Sequence, residues 1–403
     1  MIKLNNTLKL SRLDRPLLCI LLFSLIIRLV VFVFYPDQQF PDADAYRNIG
    51  REIFSGNIIT NNIYMPLYPI FTYLTGGALF QTLFDIFISV MSVYLIFLLS
   101  FQIFKTRLAA LLSAAISSIY PHFIFYSLSG LTEILFTFLL LLSFIFLYQK
   151  RFLLASFILV LSLLTRPTFD LFNPFLVICF VGFVHSLGWR LISKYVGIYF
   201  ICYLVLMAPW WVHQSNKYGE FVRLTLGDGV ILYAGNNPLN KTGGGIIGED
   251  ADLSAFVSET NPILRNNLMR DAALKFIMEN PSQFIENSGI KFLRFWRLWP
   301  HTSSYQQWYI FAASLLSYGV VLFAFIGFVF RNSRYYFREL TPVLALFSYL
   351  TAVHMVTIGS LRYRFPLEPF LIIFAGYFLI DILKNQHWFF YIINKYDIDT
   401  IKL

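Results

Sequence analysis

The sequence predicts an all-α polytopic membrane protein, and three observations carry that prediction. Of 403 residues, 58% are hydrophobic and only 13% charged, where a soluble domain carries about a quarter charged. The mean hydropathy is +0.65. The apolar residues recur in blocks of about 20, each long enough as a helix to cross a ~30 Å hydrocarbon core, and not as alternating ten-residue strands. An outer-membrane barrel and a soluble nucleic-acid-binding protein are thereby excluded.

Ten blocks read as spans, near 16–35, 79–104, 108–126, 131–149, 152–165, 169–187, 191–212, 308–330, 340–358 and 366–382. The 152–165 block is short and needs tilt or flanking length. No small-residue cleavage site follows the first block, and Arg12 and Arg15 before it read as a retained start-transfer anchor. Cys19, Cys179 and Cys202 all lie inside apolar blocks, with neither a disulfide framework nor a zinc spacing.

Basic residues stay on the cytoplasmic side of short loops. Sixteen of the 31 Lys and Arg fall in every second connection, among them Lys105, Arg107, Lys150, Arg151, Arg190, Lys194, Arg331, Arg334 and Arg338, and in both tails. Both termini are therefore expected to be cytoplasmic. The opposite side receives segments 36–77 and 213–305, with 2 basic and 4 acidic residues in the first and 9 of each in the second. The net +9 is mainly a topology signal, and no basic patch argues for nucleic acid.

Four basic residues remain at or inside membrane ends: Arg28, Arg166, Arg362 and Arg364. An arginine at a helix centre costs about 2.5–3.5 kcal/mol on insertion scales, so such residues face a bundle interior or a cavity. The last three map to the outer side, against the positive-inside bias. Glu133 and Asp170 lie at the same level, and Asp85 and Glu368 are further embedded carboxylates. Interhelical salt bridges account for single residues. Three arginines converging on one face call for an anion larger than two carboxylates.

In the first outer segment, Tyr46, Ile49 and Ile53 share a helical face before Gly56 stops it, which predicts a short helix on the membrane surface. Asp42 and Asp44 sit at its N-terminus. One could simply cap the helix, worth about 1 kcal/mol, and Asp44 could pair with Arg47. Alternatively, a carboxylate at a cavity mouth opposite arginines is placed to take a proton from an incoming hydroxyl. Pro66 and Pro69 then predict extended backbone over 64–71.

The second outer segment opens with Pro209-Trp210-Trp211 and carries turn-rich Gly227-Asp228-Gly229, Gly235-Asn236-Asn237-Pro238 and Gly243-Gly244-Gly245. No P-loop pattern accompanies the glycines. Two amphipathic helices are expected after it. One presents Leu264, Leu268, Ala272 and Phe276, and the other an aromatic face of Phe284, Ile285, Phe292, Phe295, Trp296 and Trp299. The Asn240-Lys241-Thr242 sequon is too common to imply glycosylation.

Taken in order, Asp42 with Tyr46, Pro66-Leu67-Tyr68-Pro69, Tyr120-Pro121, Thr132-Glu133, Leu164-Thr165-Arg166-Pro167, Pro209-Trp210, Gly235-Asn236-Asn237-Pro238 and Arg362-Tyr363-Arg364-Phe365-Pro366 with Pro369 make the chain resemble the GT-C glycosyltransferases that use polyprenyl-phosphate sugars. The resemblance is to the protein-mannosyltransferase-like and aminoarabinose-lipid A transferase-like branch. It implies a seven-helix module over 1–212 with a catalytic first outer loop at 36–77, a loop segment at 213–305, and C-terminal helices with a cytoplasmic tail over 306–403. It implies inverting transfer, with Asp42 as general base, or Asp44 if the register shifts. Arg166, Arg362 and Arg364 would hold the leaving phosphate, with Glu133, Tyr46, Tyr68 and Asn236 as further substrate-binding residues. The expected partners are a polyprenyl-phosphate sugar donor, a lipid, glycan or protein acceptor, and membrane lipids. The expected location is a bacterial inner membrane with the site facing outward. No cofactor is expected, although Asp42, Asp44 and Glu133 could hold a divalent ion. A transporter or flippase, and a lipid-linked glycan ligase or polymerase, are the competing readings; no inverted repeat supports the first.

Overall fold

The computed structural model describes residues 15–36, 40–56, 63–300 and 307–384. Asp37, Arg12 and the basic residues of both tails, Lys3, Lys9, Lys395 and Lys402, lie outside the described residues. Among the described residues the regular structure is helical, with one isolated bridge at Ile247–Ala251. In chain order the helices are α1 (Arg15–Phe34), α2 (Pro41–Ser55), α3 (Leu67–Leu74), α4 (Ala78–Phe104), α5 (Arg107–Ile119), α6 (Pro121–Tyr126), α7 (Glu133–Tyr148), α8 (Phe152–Leu163), α9 (Phe172–Ile178), α10 (Trp189–Tyr218), α11 (Asp228–Gly235), α12 (Pro262–Glu279), α13 (Pro281–Trp296), α14 (Trp308–Ser314), α15 (Val320–Asn332), α16 (Phe337–Val356), α17 (Leu361–Arg364) and α18 (Glu368–Lys384). A wide turn at Cys179–Val184 continues α9, and another at Leu315–Gly319 joins α14 to α15.

Each of the ten apolar blocks is helical, the 108–126 block being broken at Tyr120 between α5 and α6. Six are long and apolar enough to cross a membrane, and four shorter ones, Arg107–Ile119, Glu133–Tyr148, Phe152–Leu163 and Phe172–Val184, complete the set. This is an integral membrane protein. Its centre is α4, packed on α5 and α7, and α18, packed on α5 and α15, with α8 bridging α7 to α10. On α1 only Leu17, Ser24 and Arg28 are buried, and the exposed Leu22, Ile26, Val30 and Val33 form a face suited to acyl chains. Arg28 is fully buried, donating to Ser24 Oγ at 2.6 Å, Ser89 Oγ at 2.9 Å and the Ser118 carbonyl at 3.1 Å. Those polar partners take up its Nε and Nη1 donors inside the bundle. The three cysteines are free thiols.

The first connection holds α2 with Tyr46 and Ile49 buried and Gly56 ending it at φ 73°, a left-handed turn suited to glycine. Its N-cap is Phe40, with no side-chain cap bond, so neither aspartate serves as the cap. The 64–71 stretch is not extended: Pro66 is the N-cap of α3 and Pro69 its third residue. Helix-starting N–H groups lack intrahelical partners, so a proline there loses nothing. Gly50 of α2 lies against this turn, where an added Cβ would fall 2.3 Å from the Pro69 carbonyl oxygen.

In the second connection, residues 228–235 coil into α11 although a turn was expected there. The buried stripe of α12 is Asn266, Met269, Ala273 and Phe276, while Leu264 and Leu268 are exposed. Asn266 explains the rotation: it accepts from Gly229 N at 2.9 Å and donates to Asp228 at 2.8 Å, docking α12 on α11 through a polar pair. On α13 the buried side is likewise polar, Asn287, Ser288 and Lys291 with Phe295, whereas Ile285 and Phe292 face outward. Asn240 of the sequon is buried, donating to the carbonyls of Ala234 and Gly244.

Candidate active site

Asp42 is the second residue of α2, and its Oδ2 accepts from Arg362 Nη1 at 2.7 Å. Arg362 belongs to α17, a single turn started by Ser360, whose hydroxyl accepts from the Arg362 backbone N–H. The Nε of Arg362 donates to Glu133 Oε1, which also accepts from Arg166 Nη1 at 3.0 Å. Glu133 is fully buried at the N-terminus of α7, where the helix dipole favours a negative charge. The Arg166 guanidinium also lies 5.3 Å from the Tyr363 ring centre. Two arginines and two carboxylates thus alternate from the cavity edge into the bundle.

Tyr46 and Tyr64 wall the outer side of Asp42, with ring centres 4.7 Å apart. The hydroxyls of both titrate far above the usual tyrosine range. Burial is the main cause, with Asp42 adding to it. Tyr68 packs edge-on to Tyr46 at 5.2 Å but turns its hydroxyl inward, donating to buried Asp85 Oδ2 at 2.6 Å and accepting from Gln81 at 3.2 Å.

Other expected residues are placed elsewhere. Asp44 points to solvent, its side chain 77% exposed and bonded to Arg47 at 2.6 Å. Arg364 is fully buried, bonded to Glu368 at 3.1 and 3.2 Å and donating to the carbonyls of Phe295 and Arg297. It does not join Arg166 and Arg362. The three arginines do not converge on one anion: Glu368 is a third carboxylate and holds Arg364, Arg362 holds both Asp42 and Glu133, and Arg166 shares Glu133. Asp170 pairs with Arg223 at 2.7 Å, away from this group. Asn236 is a clamp, donating to the carbonyls of Leu232 and Val356 and accepting from Lys291 Nζ at 3.0 Å. Burial lowers the Lys291 pKa from the ordinary 10.5 to about 8. A divalent ion between Asp42 and Glu133 would have to displace Arg362 from both. Among the described residues no group of three or more His, Cys, Asp or Glu side chains gathers as a metal site.

Arg362 also lines a cavity of about 610 Å³ between α6, the Gly244–Ile246 loop, α13, α14 and α17. Its polar wall is His122, Arg294, Arg297, Ser360 and Arg362, and its apolar wall includes Phe125, Tyr126, Leu131, Trp299, Tyr309 and Ile310. His122 Nδ1 lies 2.8 and 2.9 Å from the two oxygens of Glu368. Arg294 donates to the Thr242 carbonyl at 3.2 Å, and the Arg297 guanidinium lies 4.8 Å from the Trp299 ring centre. Sequence reasoning missed His122, Arg294 and Arg297. A polar ring next to the Tyr120-Pro121 break was a usable signal for the first, whereas nothing in the sequence separated the two arginines from other loop charges.

Among the described residues, six membrane-length helices and four shorter apolar ones make a helical membrane body, with a short acidic helix on one side and an arginine-lined cavity beneath a long second connection, an arrangement of the GT-C class of fold. Solved structures of that fold are similar to the chain. The archaeal oligosaccharyltransferase AglB from Archaeoglobus fulgidus, in complex with an inhibitory peptide and a dolichol-phosphate, superimposes with a TM-score of 0.55 at 13% identity, over 94% of this chain and 51% of that one. The Archaeoglobus fulgidus oligosaccharyltransferase tethered to an acceptor peptide containing the NVT sequon gives 0.57 at 14% identity, over 94% and 51%. The chain thus spans about half the length of these enzymes, and the likeness is one of fold. No protein-family profile matches the chain, and no curated protein is similar to it in sequence.

Proposed function

We propose that this protein is an inverting membrane glycosyltransferase that moves a sugar from a polyprenyl-phosphate donor to the hydroxyl of an envelope lipid, glycan or protein, on the outer face of a bacterial inner membrane. The observation that carries the reading is the 2.7 Å contact between Asp42 and Arg362, because Arg362 also lines the cavity. On this reading the pair supplies a base and a phosphate-binding cation side by side. In the proposed reaction Asp42 takes the proton of the attacking hydroxyl while Arg362, Arg294 and Arg297 stabilise charge growing on the departing phosphate. Fixed guanidinium donors in a site shielded from water are worth several kcal/mol there. The apolar wall of Trp299, Tyr309 and Ile310 suits a prenyl chain entering from the bilayer. The dolichol-phosphate and peptide bound to the similar archaeal enzyme support a lipid-phosphate donor. Arg166 acts at one remove, holding Glu133 and through it the angle of Arg362.

The test is mass spectrometry of polyprenyl-phosphate sugars, with the envelope glycans, from cells carrying the wild type or Asp42→Asn. One lipid-phosphate sugar should accumulate in the variant, and the matching envelope sugar should disappear. Unchanged pools, with the wild type demonstrably active in the envelope, would remove Asp42 as base and favour a transport or ligase role.

A further inference from the structure

His122 lines the cavity with Glu368 behind it, and transfer by Asp42 and the arginines leaves this pair without a task. Its construction is unusual for a membrane bundle. Glu368 is fully buried; its Oε1 accepts from Arg364, and both of its oxygens lie within hydrogen-bond distance of His122 Nδ1. Arg364 is itself immobilised, 3.6 Å from the Tyr318 ring centre and bonded to two backbone carbonyls. A carboxylate only accepts, so the His122 Nδ1 carries a proton toward Glu368 and Nε2 is the nitrogen left for the cavity. The charged or titratable groups around the ring are Glu368 with Arg364 behind it, Tyr120 and Tyr126 on its own side, and Arg294, Arg297 and Arg362 of the cavity wall.

Resting on the transferase reading above, we propose that His122 is a further catalytic residue, the general acid that protonates the departing lipid phosphate, and that Glu368 is its positioning residue. As the bond between the sugar anomeric carbon and the phosphate oxygen breaks, its electron pair stays on that oxygen. The Nε2 proton of His122 passes to the phosphate. The acceptor oxygen closes the new bond to the anomeric carbon and gives its own proton to Asp42. Before the next turnover Asp42 loses a proton to water and His122 regains one, so the cycle is neutral. Imidazole suits the step, because its ring nitrogen can hand a proton to a leaving oxygen while the other nitrogen stays fixed on a carboxylate.

The experiment follows consumption of the lipid-phosphate sugar that accumulates with Asp42→Asn, in membranes from cells making each variant, between pH 5.5 and 9. Binding of farnesyl phosphate to the purified protein is measured beside it. The wild-type rate should fall on the alkaline side as the imidazolium is lost. His122→Gln should be about 100-fold slower and should lose that alkaline limb, with farnesyl phosphate binding within threefold of wild type. Glu368→Gln should also slow turnover more than tenfold at unchanged farnesyl phosphate binding, because the ring loses its fixed tautomer. An alkaline limb that survives in His122→Gln overturns the assignment, as does a variant that only weakens binding. A wild-type profile flat from pH 6 to 9 does so without any variant. If the wild type consumes no lipid-phosphate sugar at all, the transferase reading itself fails, which is a separate result.

Discussion

Glu133→Gln separates what holds this site together from what reacts in it. One buried oxygen of Glu133 accepts from both Arg362 and Arg166, whose side chains are 25% and 13% exposed. Neutralising it leaves two guanidiniums converging on an uncharged amide. Breaking a buried ion pair costs about 3–5 kcal/mol. Arg362 keeps Asp42 and retains some hydration, which places the expected loss near the lower end, at about 3 kcal/mol. Asp42→Asn breaks a pair in which both partners are more than a fifth exposed, 25% and 31%, and should cost about 1 kcal/mol. Tryptophan fluorescence during thermal unfolding in detergent should therefore rank wild type above Asp42→Asn and both well above Glu133→Gln. Removing the stranded charge with Arg166→Met in the Glu133→Gln background should recover part of the loss. A Glu133→Gln protein as stable as wild type, or one no worse than Asp42→Asn, would refute the idea that Glu133 is the shared anchor.

Three further outcomes are expected. Asp44→Asn should keep wild-type envelope glycans, since its carboxylate faces solvent and Arg47, and loss of transfer comparable to Asp42→Asn would return Asp44 to the reaction. Gly50→Ala forces a methyl into the Pro69 carbonyl and should cost about 1–3 kcal/mol; by prising α2 from α3 it should reduce transfer although it touches no charged group, which the same glycan analysis would register. Lys291 has a folded-state pKa near 8, below its unfolded 10.5, so folding expels a proton between those values. Stability should rise as pH increases from 8 to 10.5, and Lys291→Met should lose that slope in the same unfolding assay.

The ten apolar blocks were legible as helices because the bilayer demands about 20 apolar residues and little else imitates that demand. The α2 face was equally legible from Tyr46 and Ile49. Local rules failed where position within an element reverses their meaning. Pro66 and Pro69 read as helix breakers, yet at a helix start they cost no hydrogen bond. The apolar stripe of α12 misled because its docking runs through Asn266 and Asp228. At the site, the sequence singled out Asp42, Glu133 and Arg362 but grouped Arg362 with Arg166 and Arg364, and Arg364 sits on Glu368 instead. The Arg364–Glu368 pair could have been read from its four-residue spacing in a helix, the ordinary geometry of an ion pair. His122 depends on a contact 246 residues away in sequence, which no local pattern encodes.

The Asp42–Arg362 contact joins positions 320 residues apart, one before the second span and the other at the entry to the last. A ribosome making this chain produces α2 long before α17. Until then Asp42 has no cation beside it, and Glu133 has Arg166 alone. The proposed centre is thus completed only after the turn bearing Arg362 is made, and a chain stalled before it would carry the proposed base without its arginine partner.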